Sequence, residues 1–175
     1  TATLTPLIER FLIYGIYQLT SVGVTEKINE CVLRNEQIEL ILDFPARDHF
    51  DDDDGNDENY QRFRFDATGA MQNTIVENSR HLKKITCLNY CSDKAEHRRC
   101  FNFFIRIVRG IIGNGKHLSY RSYKFEFELE QANQLAQALL RLNNNNNGAI
   151  ESFYFYDPNI TPVAFQTLLD ALLNT

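Results

Sequence analysis

The stretch IESFYFYDPNITPVAFQTLLDALL, residues 150–173, decides the fold of this chain. It begins with the motif Ile150-x-x-Phe153-x-Phe155, in which two anchors and a last apolar residue face one side of a strand. The residues between them point to the other side. Pro162 then stands at the first position of a helix, after an N-cap threonine, and apolar residues follow at helical spacing. The stretch therefore predicts a strand that is followed directly by a helix.

The same strand motif recurs three times upstream, with a helical pattern behind each copy. The segment 135–140 reads LAQALL and matches 168–173, LLDALL, position by position. Apolar residues at helical spacing also fill 101–112 and, less regularly, 68–79. Such alternation of strands and helices predicts parallel strands joined by helical crossovers. The three upstream motifs are Tyr60-x-x-Phe63-x-Phe65, Leu82-x-x-Ile85-x-Cys87 and Tyr120-x-x-Tyr123-x-Phe125.

The first 35 residues are predicted to form a helical cap. A helix over residues 5–19 is expected because a proline follows an N-cap threonine and apolar residues then recur at helical spacing. A second helix is predicted over residues 25–35. From Ile38 to Phe44 the chain has the alternation of a strand. The single structural domain is therefore divided into the cap, residues 1–35, and a repeat region, residues 36–175.

These strand motifs and helices resemble the leucine-rich repeats of the ribonuclease-inhibitor type. The match is clearest in residues 150–173, where Asn159 stands near the turn asparagine of such repeats and Ile160 is the apolar residue that leads into the helix. The resemblance covers residues 38–175, with Cys87 in place of an aliphatic residue. It implies an α/β solenoid with parallel β-strands on the concave side and α-helices on the convex side.

Aromatic residues at leucine positions, unequal repeat lengths and an acidic insert at residues 48–59 also resemble the degenerate repeats of certain effector proteins. Intracellular bacterial pathogens send these effectors into host cells. The second resemblance implies a protein that inhibits or regulates a host protein, or another effector, by occlusion. The location it implies is a reducing compartment, either the cytoplasm or the cytosol of a host cell.

Composition and charge argue against several other classes of protein. The 175 residues, 43% of them hydrophobic, are enough to bury one sizeable core. A net charge of −5 argues against a general nucleic-acid binder, which needs clustered positive charge. The apolar stretch 7–17 is interrupted by charges and is too short to cross a bilayer. We therefore expect a soluble protein that binds neither nucleic acid nor membrane.

Four residues have the ligand types of a zinc site: Cys87, Cys91, His97 and Cys100. Their spacing is unusual for structural zinc, and Cys87 holds an inward anchor, where a thiol packs as a hydrophobe. A thiol nucleophile with His97 as base is a further alternative, but no short motif supplies the oxyanion donors. A cysteine- or zinc-dependent enzyme is kept as an alternative. The main expectation is a non-catalytic protein with reduced cysteines and without metal or cofactor.

The main functional prediction concerns the outward positions of the strands. Side chains between the anchors point away from the helices, and on neighbouring strands about 4.8 Å apart they form columns. Six of these residues are basic in a chain that is acidic as a whole, so we expect a partner protein with an acidic surface and tyrosine anchors. The predicted binding residues are Arg62, Arg64, Lys83, Lys84, Thr86, Arg121, Lys124, Glu126, Tyr154 and Tyr156.

Two other interpretations of this face stay open. Lysines and arginines also solvate sheet faces that bind nothing. A sheet with basic and aromatic side chains is in addition able to bind single-stranded RNA, because the rings stack on bases and the cations hold phosphates. The net charge weighs against RNA. The sequence leaves the identity of the partner and the oligomeric state undecided.

Overall fold

A computed structural model describes residues 8–14, 37–44, 70–113, 115–144 and 150–173. Within these residues the chain forms a parallel five-stranded sheet whose strands are ordered as in the sequence. The strands are β1 Ile8–Tyr14, β2 Gln37–Phe44, β3 Leu82–Asn89, β4 Lys116–Ser122 and β5 Ile150–Tyr156. The helices are α1 Ala70–Glu77, α2 Lys94–Gly110, α3 Leu129–Asn144 and α4 Pro162–Leu173, with a short 3-10 helix at Ser79–His81.

The described helices and one face of the sheet share a single apolar core. The strand register aligns two core rows across β2 to β5. Phe103 of α2 packs edge-on against Phe44 of β2, with the ring centroids 6.3 Å apart, and Phe101 packs on Tyr120 of β4 at 5.6 Å. The first row is Leu40, Ile85, Leu118 and Phe153, and the second is Leu42, Cys87, Tyr120 and Phe155.

The α/β class and the parallel strands predicted from the sequence are confirmed. The motifs that begin at Leu82 and Ile150 form strands β3 and β5 of the sheet, on either side of β4. Ile85 and Cys87 are fully buried, whereas Phe153 and Phe155 are only half-buried, because β5 is the last described strand. The motif at residues 60–65 lies outside the described residues.

The prediction for β4 is wrong: its start, Tyr120, lies four residues too late, and its anchors Tyr123 and Phe125 lie five residues after the actual core residues. The strand covers Lys116–Ser122, with Leu118 and Tyr120 as its core residues. Tyr123, which the motif search takes as an anchor, lies after the strand and is 41% exposed. Lys116 pairs in register with Ile150, the first anchor of the β5 motif. A lysine therefore takes the position where the motif requires an apolar residue, and the motif search moved on to Tyr120.

Lys116 is buried at the start of β4 and is held by main-chain oxygens. Its Nζ donates hydrogen bonds to the carbonyls of Ser79 and Leu82, both at 2.6 Å, and a longer one to Arg80 at 3.4 Å. These bonds tie the 3-10 helix to β4. Burial, and to a lesser extent the nearby Lys83, lowers the pKa of Lys116 from 10.5 to about 8.

The predicted helix over residues 5–19 is also wrong, because Ile8–Tyr14 is a strand. It pairs in parallel with β2, in the register Phe11 with Leu40 and Ile13 with Leu42. A short apolar run with β-branched and aromatic residues suits a buried strand as well as a helix, and periodicity alone does not separate the two. Pairing with β2 decides for the strand. The predicted helix over residues 25–35 lies outside the described residues.

Two helix starts follow the capping rules that the sequence suggests. Thr161 Oγ1 accepts a hydrogen bond of 3.1 Å from the backbone N–H of Ala164, which confirms the predicted N-cap of α4. Asp93 caps α2 in the same way through the N–H of Glu96, at 2.9 Å. None of the helices described is long and apolar enough to span a membrane.

Candidate functional site: the open face of the sheet

The face of the sheet opposite the helices carries three rows of outward side chains, which we call the open face. Strand alternation decides which residues lie there, because every second residue of a strand points away from the core. The register brings residues of four strands into each row. The rows described with side chains are Glu39, Lys84, His117 and Ser152; then Ile41, Thr86, Ser119 and Tyr154; then Leu88, Arg121 and Tyr156.

A depression of about 520 Å³ lies in the middle of the open face. Thr86 and Ser119 are small and form part of its lining on the two central strands. Tyr154 lines it on β5 and is 53% exposed. The Oγ1 atom of Thr86 is buried and has no hydrogen-bond partner. The lining of the depression therefore combines apolar surface with small hydroxyl side chains.

Ion pairs occupy the end of the open face where the strands begin. Lys84 Nζ lies 3.2 Å from Glu39 Oε1, and Glu39 is almost fully buried. Lys83 Nζ lies 3.4 Å from Glu151 Oε2, which also lies 3.5 Å from His117 Nε2. Both lysines are thus paired with glutamates. The face is less basic than the sequence prediction, which counted these lysines as unpaired cations.

Arg121 and three tyrosines occupy the end where the strands finish. The Arg121 guanidinium lies 5.4 Å from the ring centroid of Tyr156, and its Nη2 donates a 3.3 Å hydrogen bond to Tyr123 Oη. Tyr123 stacks on Tyr90 at 5.2 Å and packs against Tyr156 at 5.1 Å. Arg121 Nε is buried without a hydrogen-bond partner. Among the side chains that the structure describes, no carboxylate pairs with Arg121.

The structure brings some of the predicted binding residues together and separates others. Lys84, Thr86, Arg121, Tyr154 and Tyr156 lie on the open face, with Lys83 beside its edge. Lys124 and Glu126 come after β4 and are exposed in the loop, away from the strand positions that were predicted. Arg62 and Arg64 lie outside the described residues.

Sequence reasoning missed His117 and Ser119 because it began the strand at Tyr120 rather than at Lys116. The alternation of Leu118 and Tyr120 with polar residues was the signal available.

A buried polar cluster lies on the helix side, at the ends of β3, β4 and β5. His97 Nε2 and Ser122 Oγ are 2.8 Å apart, and the side-chain nitrogen of Asn89 donates to the carbonyl of His97 at 2.8 Å. Burial lowers the pKa of His97 to about 4. It also raises the pKa of Asp157 to about 6, against the hydrogen bonds from Asn159 and Ser122. His97 and Ser122 are both buried, so this pair ties α2 to the end of β4 inside the core.

The three described cysteines that were considered for chemistry are buried. Cys87, Cys91 and Cys100 form no disulfide, and the sulfur atoms of Cys91 and Cys100 are 3.3 Å apart. Burial, together with the Cys91 thiol, raises the pKa of Cys100 well above its ordinary value, which disfavours the reactive thiolate. No three His, Cys, Asp or Glu residues in the described part of the chain are arranged to hold a metal ion. Cys31 lies outside the described residues.

Comparison with known proteins gives no relative for this chain. A scan against protein-family models, a search of curated proteins and a search of solved structures each found no match. The function is therefore argued from the geometry of the open face.

Proposed function

We propose that this protein is a non-catalytic interaction module of the leucine-rich-repeat kind, which binds a partner protein on the open face. The partner presents a carboxylate to Arg121 and an apolar or aromatic group to the depression beside Tyr154. By its resemblance to degenerate-repeat effectors, the chain acts by occlusion, covering the surface of a host protein or of another effector. The observation that carries the proposal is that two tyrosines hold the Arg121 guanidinium in place, while no described carboxylate pairs with it.

Arg121 has the properties of a preformed binding group for an anion. Its guanidinium is held by the Tyr156 ring and by the Tyr123 hydroxyl, so little side-chain freedom remains to be lost on binding. No carboxylate among the side chains that the structure describes forms an ion pair with this guanidinium. A planar guanidinium binds a carboxylate through two parallel hydrogen bonds. An Asp or Glu of the partner supplies such a carboxylate.

The depression next to Arg121 supports a protein as the partner. Tyrosine and arginine are the residues that most often dominate binding energy at protein interfaces, where they surround or fill well-packed pockets. Tyr154 and Tyr156 are exposed on β5, and Arg121 lies beside them on β4. Lys83 and Lys84 are paired with glutamates, so they add little net charge to the open face and are not assigned a share of the binding energy.

The alternatives have weaker support. A cysteine-dependent enzyme needs an accessible thiolate near a base, but Cys91 and Cys100 are buried and the His97 ring bonds to Ser122 instead. An RNA-binding sheet needs unpaired cations to hold successive phosphates, whereas Lys83 and Lys84 are paired with glutamates.

Affinity capture with matched baits tests the proposal. Immobilised wild-type protein, the double variant Arg121→Glu with Tyr154→Ala, and the control Arg106→Glu are each exposed to the same cell lysate. Arg106 is exposed on α2, away from the sheet face, and its reversal changes the net charge by the same amount as Arg121→Glu. Quantitative mass spectrometry then compares the proteins retained by the three baits.

The expected result is a protein that the wild type and the Arg106→Glu control retain and that the open-face variant loses. With that protein purified, Arg121→Glu should slow its association and reduce the dependence of the association rate on salt. Retention that is equal for all three baits contradicts the proposal. Retention of RNA in place of protein, with loss on Arg121→Glu, favours the RNA alternative.

A further inference from the structure

Two buried thiols meet where the chain passes from β3 into α2. Cys91 lies in the connecting segment, residues 90–93, and Cys100 lies at the end of the second turn of α2. Their sulfur atoms are 3.3 Å apart, in hydrogen-bond contact. Cys91 is 2% exposed and Cys100 is fully buried. The pair is therefore a contact between two oxidisable groups, and the proposed binding function makes no use of it.

Hydrogen bonds fix the backbone on both sides of Cys91. Before it, the N–H of Tyr90 donates to the carbonyl of Phe44 on β2 at 2.8 Å. After it, the Asp93 side chain accepts a hydrogen bond of 2.9 Å from the N–H of Glu96, which caps the helix that carries the second thiol. The fold thus holds the two sulfurs in contact before any bond forms between them.

Little movement separates this contact from a disulfide. A disulfide bond is about 2.0 Å long, so the two sulfurs need to approach each other by about 1.3 Å. Small rotations of the two cysteine side chains supply a displacement of this size. Because the thiols are already neighbours, their reaction is intramolecular and has a high effective concentration.

The two thiols have different surroundings, which assigns them different roles in an oxidation. Cys91 lies in a short segment outside the strand and the helix, so opening of that segment alone brings it to solvent. Cys100 is inside α2, and burial together with the Cys91 thiol raises its pKa well above the ordinary value. Cys91 is therefore the thiol that meets an oxidant, and Cys100 is the resolving thiol that reacts with Cys91.

We propose that Cys91 and Cys100 form an oxidation site, at which hydrogen peroxide converts the two thiols to a disulfide that ties α2 to the end of β3. The Cys91 thiolate attacks the peroxide: an S–O bond forms, the O–O bond breaks, and the leaving hydroxide takes up the thiol proton as water. The Cys100 sulfur then attacks the resulting sulfenic acid: an S–S bond forms, the S–O bond breaks, and a second water leaves with the Cys100 proton. The two sulfurs lose two electrons, and one peroxide becomes two waters.

The oxidation site and the proposed binding site lie on different sides of the sheet. The sulfurs belong to the core on the helix side, whereas Arg121 and Tyr154 line the depression on the open face. The proposal is therefore independent of the proposed function. In the reducing compartment that the sequence suggests, such a disulfide is transient, as is usual for intracellular disulfides that respond to oxidants.

Mass spectrometry of the folded wild type tests the site. The protein is treated with hydrogen peroxide, its remaining thiols are alkylated in denaturant, and the chain is digested with trypsin. Cleavage after lysine and arginine leaves Cys91 in the peptide 85–94 and Cys100 in the peptide 100–106. We expect these peptides to be joined, with a mass two hydrogen atoms below their sum. A wild type that keeps both thiols free, or carries them as sulfinic acids, overturns the proposal if the same peroxide oxidises the protein in urea.

Single substitutions show which thiols form the bond. The peptide 85–94 also contains Cys87, so Cys87→Ala is the matched control and should still link the two peptides, as should Cys31→Ser. Cys91→Ser and Cys100→Ser should each leave the peptides separate. A link that survives Cys91→Ser joins Cys87 to Cys100 and overturns the assignment. Circular dichroism establishes that each variant is folded. If the serine variants do not fold, Cys87→Ala decides alone, because each of its two peptides then contains a single cysteine.

Urea unfolding measures what the bond does to the fold. A disulfide between residues 91 and 100 restricts the unfolded chain, so the oxidised wild type should unfold at a higher urea concentration than the reduced one. A reductant should restore the lower midpoint. Cys91→Ser should unfold at the same concentration before and after peroxide. An equal increase in this variant assigns the effect to another oxidised residue and contradicts the proposal, and an oxidised wild type without any increase contradicts the tie between α2 and β3.

Discussion

The units β4–α3 and β5–α4 have the same pattern of apolar residues but different degrees of burial. Tyr120 and Phe155 stand side by side in one core row, yet Tyr120 is fully buried and Phe155 is half-buried. Leu139 and Leu172 differ in the same way on the two helices. The difference teaches that the local pattern decides which face a side chain joins, whereas the neighbouring unit decides how far it is buried. Four predictions test this, from the largest expected effect to the smallest.

The largest effect is expected for Tyr120, in comparison with Phe155. Tyr120 packs against four rings, and its hydroxyl accepts a hydrogen bond of 3.2 Å from Asn89. Truncating a buried aromatic residue costs about 3–5 kcal/mol, so Tyr120→Ala should lower the free energy of unfolding by about that amount, and Phe155→Ala by about half. Urea unfolding of dilute protein measures both.

The variant Tyr120→Phe keeps the ring and removes only the hydroxyl. It should cost about 1 kcal/mol, because the Asn89 amide loses one of its acceptors while the packing is kept. This variant gives a measurable value if Tyr120→Ala does not fold. Equal losses for Tyr120→Ala and Phe155→Ala would contradict the contrast between the interior unit and the last unit.

The second effect compares Leu139 with Leu172. Leu139→Ala opens a cavity in the core and should cost about 2–4 kcal/mol. Leu172 is 40% exposed, so Leu172→Ala should cost less than about 1 kcal/mol. Urea unfolding measures both losses. Equal losses for the two variants would contradict the contrast between the two helices.

Much of the fold could be predicted from the sequence, because apolar positions at strand spacing are rarely accidental when a helix follows. The spacing of apolar residues correctly predicted the strands β3 and β5 and the helix α4. It failed at β4 because Lys116 takes an anchor position, and no pattern indicates that the carbonyls of Ser79 and Leu82, which are distant in the sequence, accept hydrogen bonds from it. It failed at Ile8–Tyr14 because pairing with β2 is a long-range contact.

The candidate site was predictable in part. Alternation identified Thr86 and Tyr154 as outward residues, but it did not show that Lys83 and Lys84 are paired with glutamates. Cross-strand pairs depend on register, and register depends on where each strand begins. An error of five residues in β4 was therefore enough to move Lys124 and Glu126 onto the predicted face and to hide His117 and Ser119.

The third prediction concerns how the free energy of unfolding depends on pH. Lys116 and Ile150 are partners in register at the starts of β4 and β5, but only the lysine titrates. The pKa of Lys116 is lowered to about 8 in the folded state, below the ordinary 10.5. Between these values the unfolded chain binds more protons than the folded one, so this lysine makes stability increase with pH from about 8 to 10.5. Its unfavourable contribution is fully present below about pH 8.

The variant Lys116→Met should reduce this increase. Urea unfolding at several pH values from 7 to 10.5 measures the slope for both proteins, and the tyrosines common to both cancel in the comparison. The absolute stability of the variant is a separate matter, because the carbonyls of Ser79 and Leu82 lose their donor. Identical slopes for wild type and variant would show that Lys116 titrates at its ordinary pKa.

The smallest effect on stability is expected for Tyr154, in comparison with Tyr120, since both are tyrosines on adjacent strands but lie on opposite faces. Tyr154 is 53% exposed over the depression, so Tyr154→Ala should change the free energy of unfolding by no more than about 0.5 kcal/mol. The same substitution should weaken binding of a captured partner by about 2 kcal/mol, mainly through faster dissociation, because a tyrosine anchor becomes buried only in the complex. Unfolding and surface-binding kinetics on one preparation separate the two quantities. A variant that loses stability but binds normally would assign Tyr154 to the structure of the sheet and move the search for the partner surface to the helices on the other face.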